Sequence, residues 1–162
     1  MARYAQNTTV TVERSRGEIE KTLSRYGASS FMYGWDKDGA MIAFIVTVED
    51  GRSRQVRFHL PLPDRDDERF THHSRGPRGA AQAEALWEQA CRVSWRALNL
   101  VVKAKLEAVE SGIATFEQEF LSYIMLPDGQ SVGDWFTPHL EKAYENGLMP
   151  PSVLPALTAG TS

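Results

Sequence analysis

Cysteine is nearly absent from this chain of 162 residues: Cys91 stands alone. No disulfide can close within the chain, and a lone thiol cannot assemble a thiolate metal cluster. The expected setting is a reducing one. Long apolar runs are missing too, since none approaches the roughly 20 residues that a spanning helix needs. The opening residues 1–16 lack the apolar core of a secretory signal. The expected location is the cytoplasm, and a membrane is not an expected partner. An excess of positive charge is also lacking, for the formal net charge is −3. Coating of nucleic acid by bulk attraction is thereby excluded, and any such binding must come from a local basic surface or from shape. No segment repeats at a fixed period, which argues against a solenoid.

What is present suits one ordinary globular core, with 42% hydrophobic and 24% charged residues. Thr9–Val12 reads as a short β-branched strand. Ser15 and Glu18 have capping-box spacing and open a helix through Ile19, Leu23 and Tyr26, with Gly27 at its stop. From Ser30 the period becomes two. Phe31, Tyr33 and Trp35 share one face of a strand, and Asp36 to Gly39 is a hairpin turn. Met41–Val48 is apolar on both faces, as in a strand covered at least in part on both sides. Val56, Phe58 and Leu60 then alternate with Gln55, Arg57 and His59 until Pro61 and Pro63 stop the third strand.

Residues 64–79 are rich in charge, glycine and proline and read as a surface loop. Ala80–Ser111 is the longest helical pattern. At about 45 Å it should outrun a domain of this size, so it either bends or has a partner over its excess apolar surface. Thr115 and Gln118 form a second capping box. Ser131 opens a helical turn, Thr137-Pro138 restarts the helix, and Leu140, Ala143 and Tyr144 supply its buried side. The expected fold is therefore α+β. An antiparallel meander, preceded by a short strand and helix, packs against a long helix and short C-terminal helices. Residues 1–150 form one domain and residues 151–162 an extended tail.

The candidate sites are few. Arg52, Arg54, Arg57 and His59, followed by Arg65, Arg69, Arg75 and Arg78, form a basic run beside the ring-bearing strand. With Tyr33 and Trp35 they can make a platform that stacks bases and holds phosphates of DNA or RNA, provided rings and arginines share a side. The commoner arrangement puts rings in the core and arginines on a solvated face, with Asp64, Asp66, Asp67 and Glu68 neutralising the loop. On the long helix, Trp87, Trp95, Leu98 and Val102 are candidate anchors for a protein partner or a twofold copy. His72-His73 beside these acids has two metal-ligand types, but no spacing that completes a set. Cys91 reads as a small buried hydrophobe. No spacing identifies an acid–base pair, and an enzyme would need distant groups such as His59 and His139 brought together. Phosphate-binding loops are absent, and no cofactor is expected.

Phe31-Met32-Tyr33-Gly34-Trp35-Asp36, Leu60-Pro61-Leu62-Pro63-Asp64 and the stretch from Leu126 to Trp135 resemble small uncharacterised proteins encoded by phages and prophages. The resemblance covers nearly the full length and carries over no catalytic residues. It implies a role in phage nucleic-acid metabolism or in countering host defences. The leading expectation is a non-catalytic nucleic-acid-binding or recombination accessory protein. The alternative is an interaction or inhibitor module that docks through the long helix, and a small enzyme comes third.

Overall fold

The structure is a computed structural model and describes residues 7–36, 39–48 and 50–147. Helix α1 (Val12–Arg25) begins a full turn earlier than its serine predicts, because Thr11 is the cap: its hydroxyl accepts the Arg14 amide. Residues 9–12 consequently form no strand, and Ser15 lies on the buried face with Ile19 and Leu23. The β-branched run was too short to outweigh a capped helix start. Gly27, at φ +85°, ends the helix in the left-handed conformation that glycine adopts without strain.

Strands β1 (Ala28–Asp36), β2 (Gly39–Thr47) and β3 (Ser53–Leu60) pair antiparallel in that order. Register places Phe31 opposite Phe44 and Phe44 opposite Val56; Tyr33 faces Ile42, which faces Phe58. These residues share the inner face, where Ile19 and Leu23 from α1 and Trp95, Leu98, Val102 and Leu106 from the long helix join one cluster. Burial of such side chains stabilises by roughly 1.5–3 kcal/mol each. Phe44, Phe58 and Phe120 form a ring triangle with centroids 6.2–6.3 Å apart, a spacing at which aromatic pairs attract beyond their area.

Residues 64–79 are organised rather than a plain loop. Asp67 caps the short helix α2 (Glu68–Thr71), and a small hairpin follows in β4 (His72–His73) and β5 (Gly76–Pro77). Phe70, the one large apolar group in the stretch, is buried and anchors it.

This outcrop answers the length of helix α3 (Ala80–Glu110). Burial along α3 runs from Cys91 to Leu106, while its first turns meet residues 61–71. The Trp87 indole donates to the Pro63 carbonyl at 2.8 Å, and Arg65 pairs with Glu84 at 2.7 Å while lying over the Trp87 ring. The excess helix is thus met by its own chain.

Helix α4 (Phe116–Phe120) carries the expected capping box between Thr115 and Gln118 and runs into a 3₁₀ turn at Leu121–Tyr123. Ile124 and Met125 then lie along β3, with the Met125 amide donating to the Gln55 carbonyl. Helix α5 (Val132–Glu145), capped by Ser131, is continuous through Pro138. The break expected at Thr137 does not occur. Proline removes the donor to the Asp134 carbonyl, on an exposed turn of the helix, while the neighbouring Gly133 and Trp135 carbonyls bond the Thr137 hydroxyl at 2.7 Å and the His139 ring at 2.9 Å. The expected tail at 151–162 lies outside the described residues.

Candidate functional site

Alternation decides where the basic and aromatic candidates go. Even-numbered residues of β3 share the inner face with odd-numbered residues of β1, as the register through β2 requires. Tyr33 therefore lies beneath the helices, while Arg57 and His59 are on the opposite face. The platform needed rings and arginines on one side, and the pleat separates Tyr33 from Arg57 and His59; Arg54 has the inner parity but lies at the far end of β3 and pairs with Asp50.

Tyr33 is half-buried and packs against the core. Its ring sits edge-on to Phe31 at 4.2 Å and faces Trp95 at 6.1 Å; Arg16 lies 4.0 Å above it, and its hydroxyl donates to the Arg16 carbonyl. Burial first of all pushes its hydroxyl up to about 12. Trp35, at the end of the same strand, is 76% exposed.

The arginines are dispersed and mostly neutralised. Arg52 and Arg54 both reach Asp50 at one end of the sheet. Arg65, Arg69, Arg75 and Arg78 lie beyond the other end, past the roughly 24 Å of β3. Arg65 pairs with Glu84 and Arg69 with Asp67. The Arg57 guanidinium donates to the Gly129 carbonyl. The Arg78 amide donates to the Thr71 carbonyl, and its Nε is buried without a partner among the described residues. Arg75, exposed in the turn between β4 and β5, has no ion pair among the described residues.

The proposed anchors on α3 are turned inward: Trp95, Leu98 and Val102 are buried in the core and Trp87 is tied to Pro63. His72 and His73 are exposed, each bonded to its own hairpin, through the Thr71 hydroxyl and the Arg75 amide. No group of three metal-ligating side chains comes together among the described residues. Cys91 is buried, and burial pushes its thiol up, away from the reactive thiolate. His59 stands on the outer sheet face, whereas His139 packs against Trp135 with centroids 5.0 Å apart. No hydrogen bond joins the two histidines among the described residues.

The surface that sequence reasoning missed is α5. Trp135, Phe136, His139, Leu140, Ala143 and Tyr144 recur at helical spacing and make one stripe. Leu140, Ala143 and Tyr144 were expected to supply a buried side, yet α5 has no buried residue at all. Trp135 is 48%, Phe136 50%, Leu140 45% and Tyr144 66% exposed. The helix is held only at its start. A Cβ on Gly133 would lie 2.8 Å from the Ser122 carbonyl oxygen, so the glycine lets the helix seat tightly on the 3₁₀ turn. Past that seat the stripe has no cover among the described residues.

A second feature was invisible in sequence: an open apolar groove of about 680 Å³ where the C-terminal ends of α1 and α3 meet the end of the sheet. Tyr26, Val48, Leu106, Val109, Ile113 and Phe116 line it, with Asp50 and Glu117 at its polar edge. Compared with protein-family models, with curated proteins and with solved structures, the chain matches none. No helix among the described residues is long and apolar enough to cross a membrane.

Proposed function

We propose that this chain is a protein-interaction module that docks through the aromatic stripe of α5. One observation carries the reading: a capped, regular helix of 14 residues presents four large apolar side chains and buries none. In water such a stripe forms a stable helix best when another surface covers it, and half-exposed aromatic groups in one row are the usual anchors of helix-in-groove recognition. The docking element is then α5 rather than α3, whose Trp95, Leu98, Val102 and Leu106 serve the chain's own core. A photocrosslinking residue placed at Phe136, with the same residue at Glu141 on the far side as control, tests this in the cells that make the protein. A discrete adduct from position 136 and none from 141 is expected. Absence of any adduct at 136, to itself or to another protein, removes the reading.

Nucleic-acid binding is the second reading. It is supported by the outcrop at 65–78, which gathers Arg65, Arg69, Arg75 and Arg78 in one short motif. Anisotropy with labelled single-stranded and duplex DNA and RNA decides it. Binding must weaken as salt rises in proportion to the phosphates contacted, and no binding at low salt ends it. Both readings suit the phage-type setting that the sequence resemblance implies.

A further inference from the structure

We infer that the stripe of α5 docks in the apolar groove of a second copy of this chain, and that the exchange is reciprocal, so that two copies close on a twofold axis. The inference rests on α5 being a docking helix and names its partner.

The chain carries two unmatched features of one chemistry. One is a convex apolar helix face and the other a concave apolar surface, and among the described residues nothing covers the first or fills the second. Within one copy they are not joined, for the stripe stays open to solvent. The groove has room for the side chains of one helix face rather than for a whole helix. Its rim residue Ile113 is 81% exposed, which is unusual for an isoleucine unless something covers it.

Area favours exchange over simple pairing of α5 with α5. The exposed parts of the stripe amount to roughly 400 Å² per copy, taking aromatic side chains at about half their full area. Two helices pairing face to face would bury about 800 Å² in all, the size of a lattice contact. Reciprocal docking covers two stripes and two grooves, and so reaches roughly 1,200 Å², the lower end of the range of stable interfaces. A heterologous contact made twice about a dyad also closes, whereas one made once would propagate into a filament.

Charge points the same way. Lys142 lies seven residues beyond Trp135 and therefore on the same edge of the stripe, while Asp134, Glu141 and Glu145 fall on the opposite side of α5. Of the two acids at the groove, Asp50 is already paired with Arg52 and Arg54, while Glu117 has no ion pair among the described residues. Docking brings Lys142 to Glu117 and leaves the three carboxylates of α5 in water.

Sedimentation equilibrium of the full chain, with circular dichroism as a check on folding, provides the test. Wild type is expected to dimerise. Phe136→Glu on the helix and Ile113→Glu on the groove, both at exposed sites, should each weaken dimerisation by at least about tenfold. Mixing the two variants should give a heterodimer by native mass spectrometry, since the intact helix of one still meets the intact groove of the other. Lys142→Glu should weaken the dimer and Glu117→Lys in the same chain should restore it. A wild type that stays monomeric at its highest soluble concentration overturns the inference. So does an Ile113→Glu variant that dimerises like wild type, because α5 would then pair with something other than the groove. A monomer that still yields an adduct to another protein from position 136 refutes self-docking while leaving the interaction-module reading intact.

Discussion

Glu18 on α1 takes hydrogen bonds from both Arg96 and Asn99 on α3, a three-residue polar link between the two helices that cover the sheet. Burial works against ionisation of Glu18, but the bonds from Arg96, Asn99 and Arg14 outweigh it and hold the carboxyl below its ordinary value. Its contribution to stability is therefore present above the unfolded value of about 4.3 and is lost as pH falls through the lower folded value. Because the site is partly solvated, Glu18→Gln should cost about 1 kcal/mol or less at neutral pH. Urea midpoints of wild type and variant should differ at pH 7 and converge in acid. Equal midpoints at pH 7 would show that the link contributes nothing.

Ser15 is fully buried and its hydroxyl has no hydrogen-bond partner among the described residues. Ser15→Ala removes that unsatisfied group at almost constant shape and also improves helix propensity, so a gain of about 1 kcal/mol is expected. Thermal unfolding measures it. A fall in Tm would mean that the hydroxyl is bonded in solution.

Two glycines should respond with opposite signs. Gly17 is exposed inside α1, and an added Cβ would meet nothing within 4 Å, so Gly17→Ala should stabilise by about 0.5–1 kcal/mol. Gly133→Ala must push the start of α5 off Ser122, costing about 1–3 kcal/mol. Hydrogen exchange should report loss of protection confined to α5 and the 3₁₀ turn. A Gly133→Ala variant as stable as wild type, or more so, would show that the tight seat of α5 is wrong.

Tyr33 supplies a spectroscopic check on the core. With its hydroxyl pushed up to about 12, it should remain neutral where a solvated tyrosine ionises, near 10. A raised value means that its stabilisation is complete below about 10 and is lost as pH climbs toward 12. An absorbance titration of wild type against Tyr33→Phe isolates the step. Ionisation of Tyr33 near 10 would place it in solvent and reopen the ring-bearing strand as a ligand surface.

Much of the fold was legible because it rests on local periodicity. Alternation in Val56, Phe58 and Leu60, the helical spacing from Leu98 to Leu106, the capping box at Thr115 and the stop at Gly27 each depend on residues a few positions apart. The pleat fixed by Val56, Phe58 and Leu60 even foretold which side of β3 would carry Arg57 and His59.

Other features required the tertiary structure. Amphipathicity tells that a helix has an apolar side, but not whether that side finds a cover: α3 and α5 have the same kind of stripe, yet only α3 packs on the sheet. Capping competes over distances that a pattern cannot rank, so Thr11 displaced Ser15 and left its hydroxyl buried. The groove beside Ile113 has no linear signature, since it arises where the ends of α1, α3 and the sheet converge. Sequence by itself determined the elements and the inner face of the meander. Which apolar surfaces were consumed by the core and which were left facing water was decided only by packing in three dimensions, because burial depends on neighbours that are distant along the chain.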